Sequence, residues 1–239
     1  LRPPEQRAFR FLHVSTDEVY GNLESLAPAF TENHPYKPNS PYAASKAAAD
    51  HLVRAYRQTF GLPTLVTNCT NNYGPCQHPE KLIPVLIVAA RSRSPLPIYG
   101  DGRQVRDWIH VDDHCRALRI AVEKGRVGET YNIGARCERS NLEVATTICR
   151  ILDDLYPSPV PHARLIRHVM DRPGHDRRYA LDTTKFSAYT GWTPQISFDD
   201  GIARTVRWYL DRPDWVAALS GEQHREWMQQ NYQQRGGAR

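Results

Sequence analysis

Strand-length apolar runs alternate with helical patterns along this chain, and that alternation leaves few folds open. Phe9–Val14 reads as a buried strand, bounded by the polar Ser15-Thr16-Asp17-Glu18. Residues 40–60 read as a helix, with Ser40 as N-cap, Pro41 in its first turn and Gly61-Leu62-Pro63 as its stop. Thr64–Asn68 reads as the next strand and residues 80–93 as a helix whose Pro84 is early enough to be tolerated. Leu96–Tyr99 is a short strand ended by the turn Gly100-Asp101-Gly102. A helix over 112–123, a strand over Glu129–Ile133 and amphipathic helices over Leu142–Leu155 and Phe198–Leu210 follow, the last stopped near Pro213. Pro157–Pro161 reads as a surface loop, and Gln229–Arg239 as a frayed polar end. This order calls for a parallel sheet with helices on its faces.

Composition narrows the setting. The 239 residues suffice for one large α/β domain or two small ones, and no apolar stretch approaches the ~20 residues of a membrane span. Five cysteines, an odd number with no Cys-x-x-Cys pair, argue against a disulfide framework or a metal site and for a reducing cytoplasm. The net charge is +5, but the arginines are scattered rather than gathered into a stripe. That pattern suits a solvated surface with a few phosphate contacts in a pocket, not a nucleic-acid face.

Two short motifs carry chemistry. Tyr42 and Lys46 stand four apart on the expected helix and so share a face. An ammonium beside a phenol stabilises the phenolate, so Lys46 is expected to lower the pKa of Tyr42 and make it a base toward an alcohol. Tyr-x-x-x-Lys alone recurs by chance on helix surfaces. Here lysine is scarce (five in the chain), and the motif follows a strand that ends in Ser15-Thr16, where open α/β sheets place their ligands. Asp17 and Glu18 are adjacent carboxylates at that strand end. Unlike surroundings can split their pKa values, giving one general acid and one general base, the pair that elimination of water requires. A solvated acidic turn or a helix cap is the plainer alternative.

Taken together, these motifs resemble the dTDP-glucose 4,6-dehydratase family of extended short-chain dehydrogenases/reductases, over about Phe9 to Tyr232. The matching segments are Ser15-Thr16-Asp17-Glu18-Val19-Tyr20-Gly21, Ser40-Pro41-Tyr42-Ala43-Ala44-Ser45-Lys46, Asn68–Pro75, Pro79–Pro84, Pro97–Gly100, Arg106-Asp107-Trp108 and Asp171-Arg172-Pro173-Gly174-His175 with the residues to Tyr179. The resemblance implies that Tyr42 is the base for oxidation at C4 of a glucosyl ring and that Lys46 tunes it and holds the ribose of NAD. It implies that Thr16 bonds the C4 hydroxyl, Asp17 protonates the departing C6 hydroxyl and Glu18 takes the C5 proton. Asn72 is implied near the nicotinamide. Asn71, Lys81, Leu82, Pro97, Ile98, Tyr99, Arg106, Asn141, Asp171, Arg172, Pro173, Gly174 and His175 are implied as contacts to the nucleotide sugar. Arg106 and Arg172 suit a diphosphate and Pro97-Ile98-Tyr99 a thymine slot. A homodimer through the Tyr42–Phe60 helix is also implied. Related UDP-, GDP- or CDP-sugar dehydratases, epimerases or decarboxylases are the neighbouring alternatives, and an inactive fragment that only binds nucleotide sugar is a third.

No glycine-rich phosphate loop occurs in the chain. The expectation is therefore the C-terminal part of a Rossmann-like doubly wound parallel sheet plus a smaller α/β substrate-binding region. Residues 1–75 would be what remains of the NAD-binding domain. Residues 76–239 would mostly bind the nucleotide sugar, interleaved with the last Rossmann elements. Weak NAD binding by the 239-residue chain follows from the same reading.

Overall fold

A computed structural model describes residues 9–219, 221, 226 and 229–233; the 234–239 part of the expected frayed end lies outside the described residues. In chain order the elements are β1 (Phe11–Thr16), a 3-10 turn (Asp17–Tyr20), α1 (Pro41–Phe60), β2 (Thr64–Cys69), β3 (Asn71–Tyr73), α2 (Leu82–Arg91), β4 (Leu96–Tyr99), β5 (Val105–His110) and α3 (Val111–Lys124). Then come β6 (Thr130–Ile133), β7 (Glu138–Ser140), α4 (Asn141–Leu155), a 3-10 turn (His162–Leu165), β8 (Ile166–Val169), α5 (Thr184–Thr190), α6 (Phe198–Asp211), α7 (Pro213–Leu219) and a π turn (Gln229–Gln233). Strands β3, β5 and β7 form a short sheet with β5 in the middle.

The chain divides into two units, each made of three segments: residues to Asn72 with Arg106–Glu138 and Asp176–Gln195, and Tyr73–Val105 with Arg139–His175 and Ile196 onward. The first unit contains a parallel sheet ordered β1-β2-β6, in register from Phe11↔Thr64 to Thr16↔Cys69 and from Val66↔Thr130 to Cys69↔Ile133. Leu65, Ile109, Tyr131 and Ile133 bury against Ala117 and Ala121 of α3 and Phe186 of α5. Each such Leu or Ile is worth roughly 1.5–3 kcal/mol. A second cluster joins Ala47 of α1 to Val19, Tyr20, Phe30 and Leu181.

Helix α1 begins and ends as its sequence dictates. The Ser40 hydroxyl accepts from Ala43 N at 3.1 Å, Pro41 opens the first turn, and Gly61 closes the helix in the left-handed region with its N–H on Arg57 O. Ala43, Ala47 and Asp50 form its buried face, so two of its alanines serve packing within the unit, while Ala44 and Ala48 are exposed.

In the second unit β4 pairs in parallel with β8, and α2, α4 and α6 pack on one another through fully buried Ile83, Leu86, Val144, Ile148, Leu152, Ile202 and Val206. A capping box between Ser140 and Glu143 starts α4.

Four expectations need correction. Strand β1 runs from Phe11 to Thr16, so Ser15 and Thr16 lie within it, and it is not a buried strand: Phe11 and Val14 are about 40% exposed on the outer strand of the sheet. Pro213 does not merely follow α6 but opens α7, because proline suits a first helical turn. Gln229–Gln233 forms a π turn whose Tyr232 is buried. The short strands β3, β5, β7 and β8 and helix α5 were not legible as separate elements. Among the described residues, no helix is long and apolar enough to cross a membrane.

Candidate active site

The carboxyl end of β1 delivers Thr16, Asp17 and Glu18, and the adjoining face of α1 delivers Tyr42 and Lys46. Thr16 ends the strand and caps the 3-10 turn: its hydroxyl accepts from Glu18 N and donates to Asp17 Oδ1, both at 3.3 Å. Gly21 closes the turn at φ 85°, where a Cβ would stand 2.3 Å from Lys37 O, so only glycine fits.

Asp17 is not a solvated turn residue. It is 2% exposed, and its Oδ2 has no hydrogen-bond partner among the described residues. Burial first, then the neighbouring Glu18, push its carboxyl up to about 8 against the pull of Arg106. At neutral pH it therefore carries a proton, held on an acid with nothing in the chain to receive it. Glu18 is partly exposed, so the two neighbours have the unlike surroundings expected of an acid and base pair.

Tyr42 departs from expectation. Its hydroxyl is raised, not lowered, by burial and then by Glu18, Cys69 and Asp17. Lys46 does not offset them, because its ammonium donates to Val14 O at 2.8 Å. Cys69, at the end of β2, is held by Ser15 O at 3.3 Å, and burial pushes its thiol up to about 12. The Asn72 amide donates to Thr70 O at 3.1 Å and approaches Cys69 Sγ at 3.6 Å, so it is fixed beside the same strand end. Asn71 precedes it in β3.

Arg106 also belongs to this unit. It is 5% exposed, donates to Asp176 O at 2.9 Å and lies 4.3 Å from the Tyr179 ring centroid. Tyr179 in turn donates to Asp176. Tyr179 was quoted only within a motif; its role under the guanidinium emerges from the fold.

The remaining expected nucleotide-sugar contacts, Lys81, Leu82, Pro97, Ile98, Tyr99, Asn141 and Asp171–His175, fall in the second unit. Asp171 organises its own segment: it accepts from Arg172 N at 2.8 Å and Gln104 Nε2 at 2.8 Å and pairs with His175 Nδ1 at 2.6 Å. Gly100, at φ 55°, lies so close that a Cβ would meet Asp171 Oδ2 at 2.7 Å. Ile98 is fully buried, which leaves its backbone rather than its side chain for a ligand. Tyr99 stacks on Tyr232 at 5.0 Å and meets His175 edge-on at 6.1 Å. Asn141 is buried in the first turn of α4, its N–H on Gln104 O, while Lys81 is exposed and pairs with Glu80 at 3.2 Å. Among the described residues, no cluster of three or more His, Cys, Asp or Glu is placed to hold a metal ion.

A parallel sheet with Thr-Asp-Glu at a strand's carboxyl end and Tyr-x-x-x-Lys on the adjoining helix defines an extended short-chain dehydrogenase/reductase. The GDP-mannose 4,6 dehydratase family profile matches residues 2–205. The chain is 50% identical over 243 residues to a dTDP-glucose 4,6-dehydratase of Shigella flexneri, covering 98% of this chain and 67% of that protein. It is 58% identical over 214 residues to one of Xanthomonas campestris pv. campestris, covering 89% and 61%. The chain belongs to this family of nucleotide-sugar 4,6-dehydratases, in its dTDP-glucose branch. Its fold matches that of dTDP-glucose 4,6-dehydratase from Bacillus anthracis, solved in complex with NAD, with a TM-score of 0.81 at 46% identity over 88% of this chain and 64% of that one. The chain thus spans about two thirds of the length of these relatives.

Proposed function

We propose that this chain carries the catalytic and nucleotide-sugar-binding parts of a dTDP-glucose 4,6-dehydratase, which converts dTDP-glucose to its 4-keto-6-deoxy derivative. The observation that carries this reading is Asp17: a buried, protonated acid with an unused oxygen, next to Glu18 and within electrostatic reach of Tyr42. A 4-epimerase needs no such acid.

Tyr42 takes the proton of the C4 hydroxyl as that carbon is oxidised. Its raised pKa means that the protein alone does not prepare it as a base; a cationic nicotinamide beside it would supply the missing positive charge. Bound NAD would accept the hydride from C4 and return it at C6, leaving no net redox change. The residues present fit that cofactor. Lys46 spends one donor on Val14 O, and among the described residues its other N–H groups remain for ribose hydroxyls. Asn72 is fixed beside Cys69 on the same side of the strand end. Once C4 is a ketone, the C5 proton is acidic. Glu18 removes it and Asp17 gives its proton to the C6 hydroxyl, which leaves as water.

In the second unit, the self-bonded Asp171–His175 segment and Tyr99 are suited to the diphosphate and base of the nucleotide. We assign Lys81, Leu82, Pro97, Ile98, Asn141, Arg172, Pro173 and Gly174 to the same ligand, with Thr16, Asn71 and Arg106 toward the sugar and phosphates. The functional division into an NAD-binding and a nucleotide-sugar-binding part follows this assignment.

Five unpaired cysteines support a reducing, cytoplasmic setting. Leu52, Tyr56 and Phe60 form an exposed apolar stripe along α1, which supports a homodimer through that helix. Incubation with dTDP-glucose and NAD tests the activity: formation of a product with the alkaline absorbance of a 4-keto sugar is expected, and unchanged dTDP-glucose contradicts it.

A further inference from the structure

We infer that Asp50 is a positioning residue that holds the Tyr42–Lys46 face of α1 in register with the Thr16-Asp17-Glu18 turn. The inference rests on the dehydratase reading. Asp50 lies one helical turn beyond Lys46 and two beyond Tyr42. It is 4% exposed, on a face whose other buried members are alanines. Apolar packing does not need a carboxylate there, and burying one is costly unless it is hydrogen-bonded.

Its bonds point at the catalytic turn from both ends. Asp50 Oδ2 accepts from Ser15 Oγ at 2.9 Å, and Ser15 immediately precedes Thr16. The same oxygen accepts from Tyr36 OH at 2.9 Å. Tyr36 OH receives Asn68 Nδ2 at 3.4 Å, and Asn68 also donates to Tyr20 OH at 2.8 Å, which donates to Asn132 Oδ1 at 2.9 Å. Tyr20 is the last residue of the 3-10 turn that begins at Asp17. One carboxylate on α1 therefore anchors the acid and base turn directly at its entry and through Tyr36 and Asn68 at its exit. His13 Nε2 approaches Asp50 Oδ1 to 3.0 Å but out of hydrogen-bond alignment, so the hydroxyls carry the connection.

Oxidation by Tyr42 and elimination by Asp17 and Glu18 must act on one bound sugar. A misplacement of ~1 Å between the two groups costs on the order of 100-fold in rate. Asp50→Asn and Ser15→Ala, alone and together in the NAD-loaded protein, test the inference with dTDP-glucose as substrate. Each variant is expected to lower kcat at least about tenfold with KM within about twofold, and the double variant to be no worse than the worse single. Reduced nicotinamide is expected to build up during turnover, because oxidation no longer feeds elimination. Amide hydrogen exchange over residues 14–20 is expected to rise, whereas Ser15→Thr, which keeps the donor, retains wild-type behaviour.

A lowered thermal midpoint with unchanged turnover and unchanged local exchange in the folded fraction overturns the inference. A wild-type protein inert toward dTDP-glucose overturns the dehydratase reading instead. In that case local exchange in Asp50→Asn still decides whether the carboxylate orders the turn.

Discussion

Lys46 Nζ lies 2.8 Å from the Val14 carbonyl oxygen, tying helix α1 to the carboxyl half of strand β1. The bond explains why Lys46 does not lower the Tyr42 pKa. It also gives Lys46 two tasks: fixing α1 and presenting its remaining donors to a ribose.

Lys46→Met keeps the aliphatic stem and removes both tasks. A fall in kcat of about 100-fold, with weakened NAD affinity in a fluorescence titration, is expected. Retained NAD affinity would limit Lys46 to a structural anchor.

Asp17 sets a pH dependence whose sign is fixed by its raised pKa. The folded-state value, about 8, lies above the ordinary 3.8, so its contribution to stability is full below about pH 4 and is lost as pH rises toward 8. Over that window the group makes stability fall by up to roughly 1.4 kcal/mol per pH unit. Asp17→Asn is expected to flatten this part of the stability profile in denaturant titrations, while lowering kcat by about 100-fold or more. Wild-type activity should decline above about pH 8, where Asp17 loses its proton.

Gly100→Ala tests the second unit. It strains a residue at φ 55° and drives a Cβ into Asp171, which organises the segment to His175. A cost of about 1–3 kcal/mol in denaturant unfolding is expected, with a raised KM for dTDP-glucose if that segment holds the nucleotide.

Tyr56→Glu places a charge in the middle of the exposed Leu52, Tyr56 and Phe60 stripe. Sedimentation is expected to show a dimer for the wild type and a monomer for the variant. A wild-type monomer would remove the stripe from the dimer assignment.

The helix bearing Tyr42 and Lys46 was legible because its signals are local: Ser40 and Pro41 start it, and Gly61 ends it. Asp17 and Glu18 were legible as a pair, but not the direction in which the fold pushes Asp17, which depends on burial beneath distant segments. The true extent of β1 was hidden by the polarity of Ser15 and Thr16. The Ser15 hydroxyl is satisfied by Asp50, 35 residues away, which no short-range pattern can announce. Tyr232 was missed because its partner Tyr99 is remote in sequence, and Pro213 because proline marks helix starts as readily as stops.

The most direct measurement follows dTDP-glucose through turnover in deuterated water, with wild-type protein and Glu18→Gln. Conversion by the wild type to the 4-keto-6-deoxy product with solvent deuterium at C5, and at least about 100-fold slower conversion by Glu18→Gln, is the expected result. Unconverted substrate with the wild type, or an equally fast Glu18→Gln, would contradict the assignment of Tyr42, Asp17 and Glu18 as base, acid and base of one dehydration.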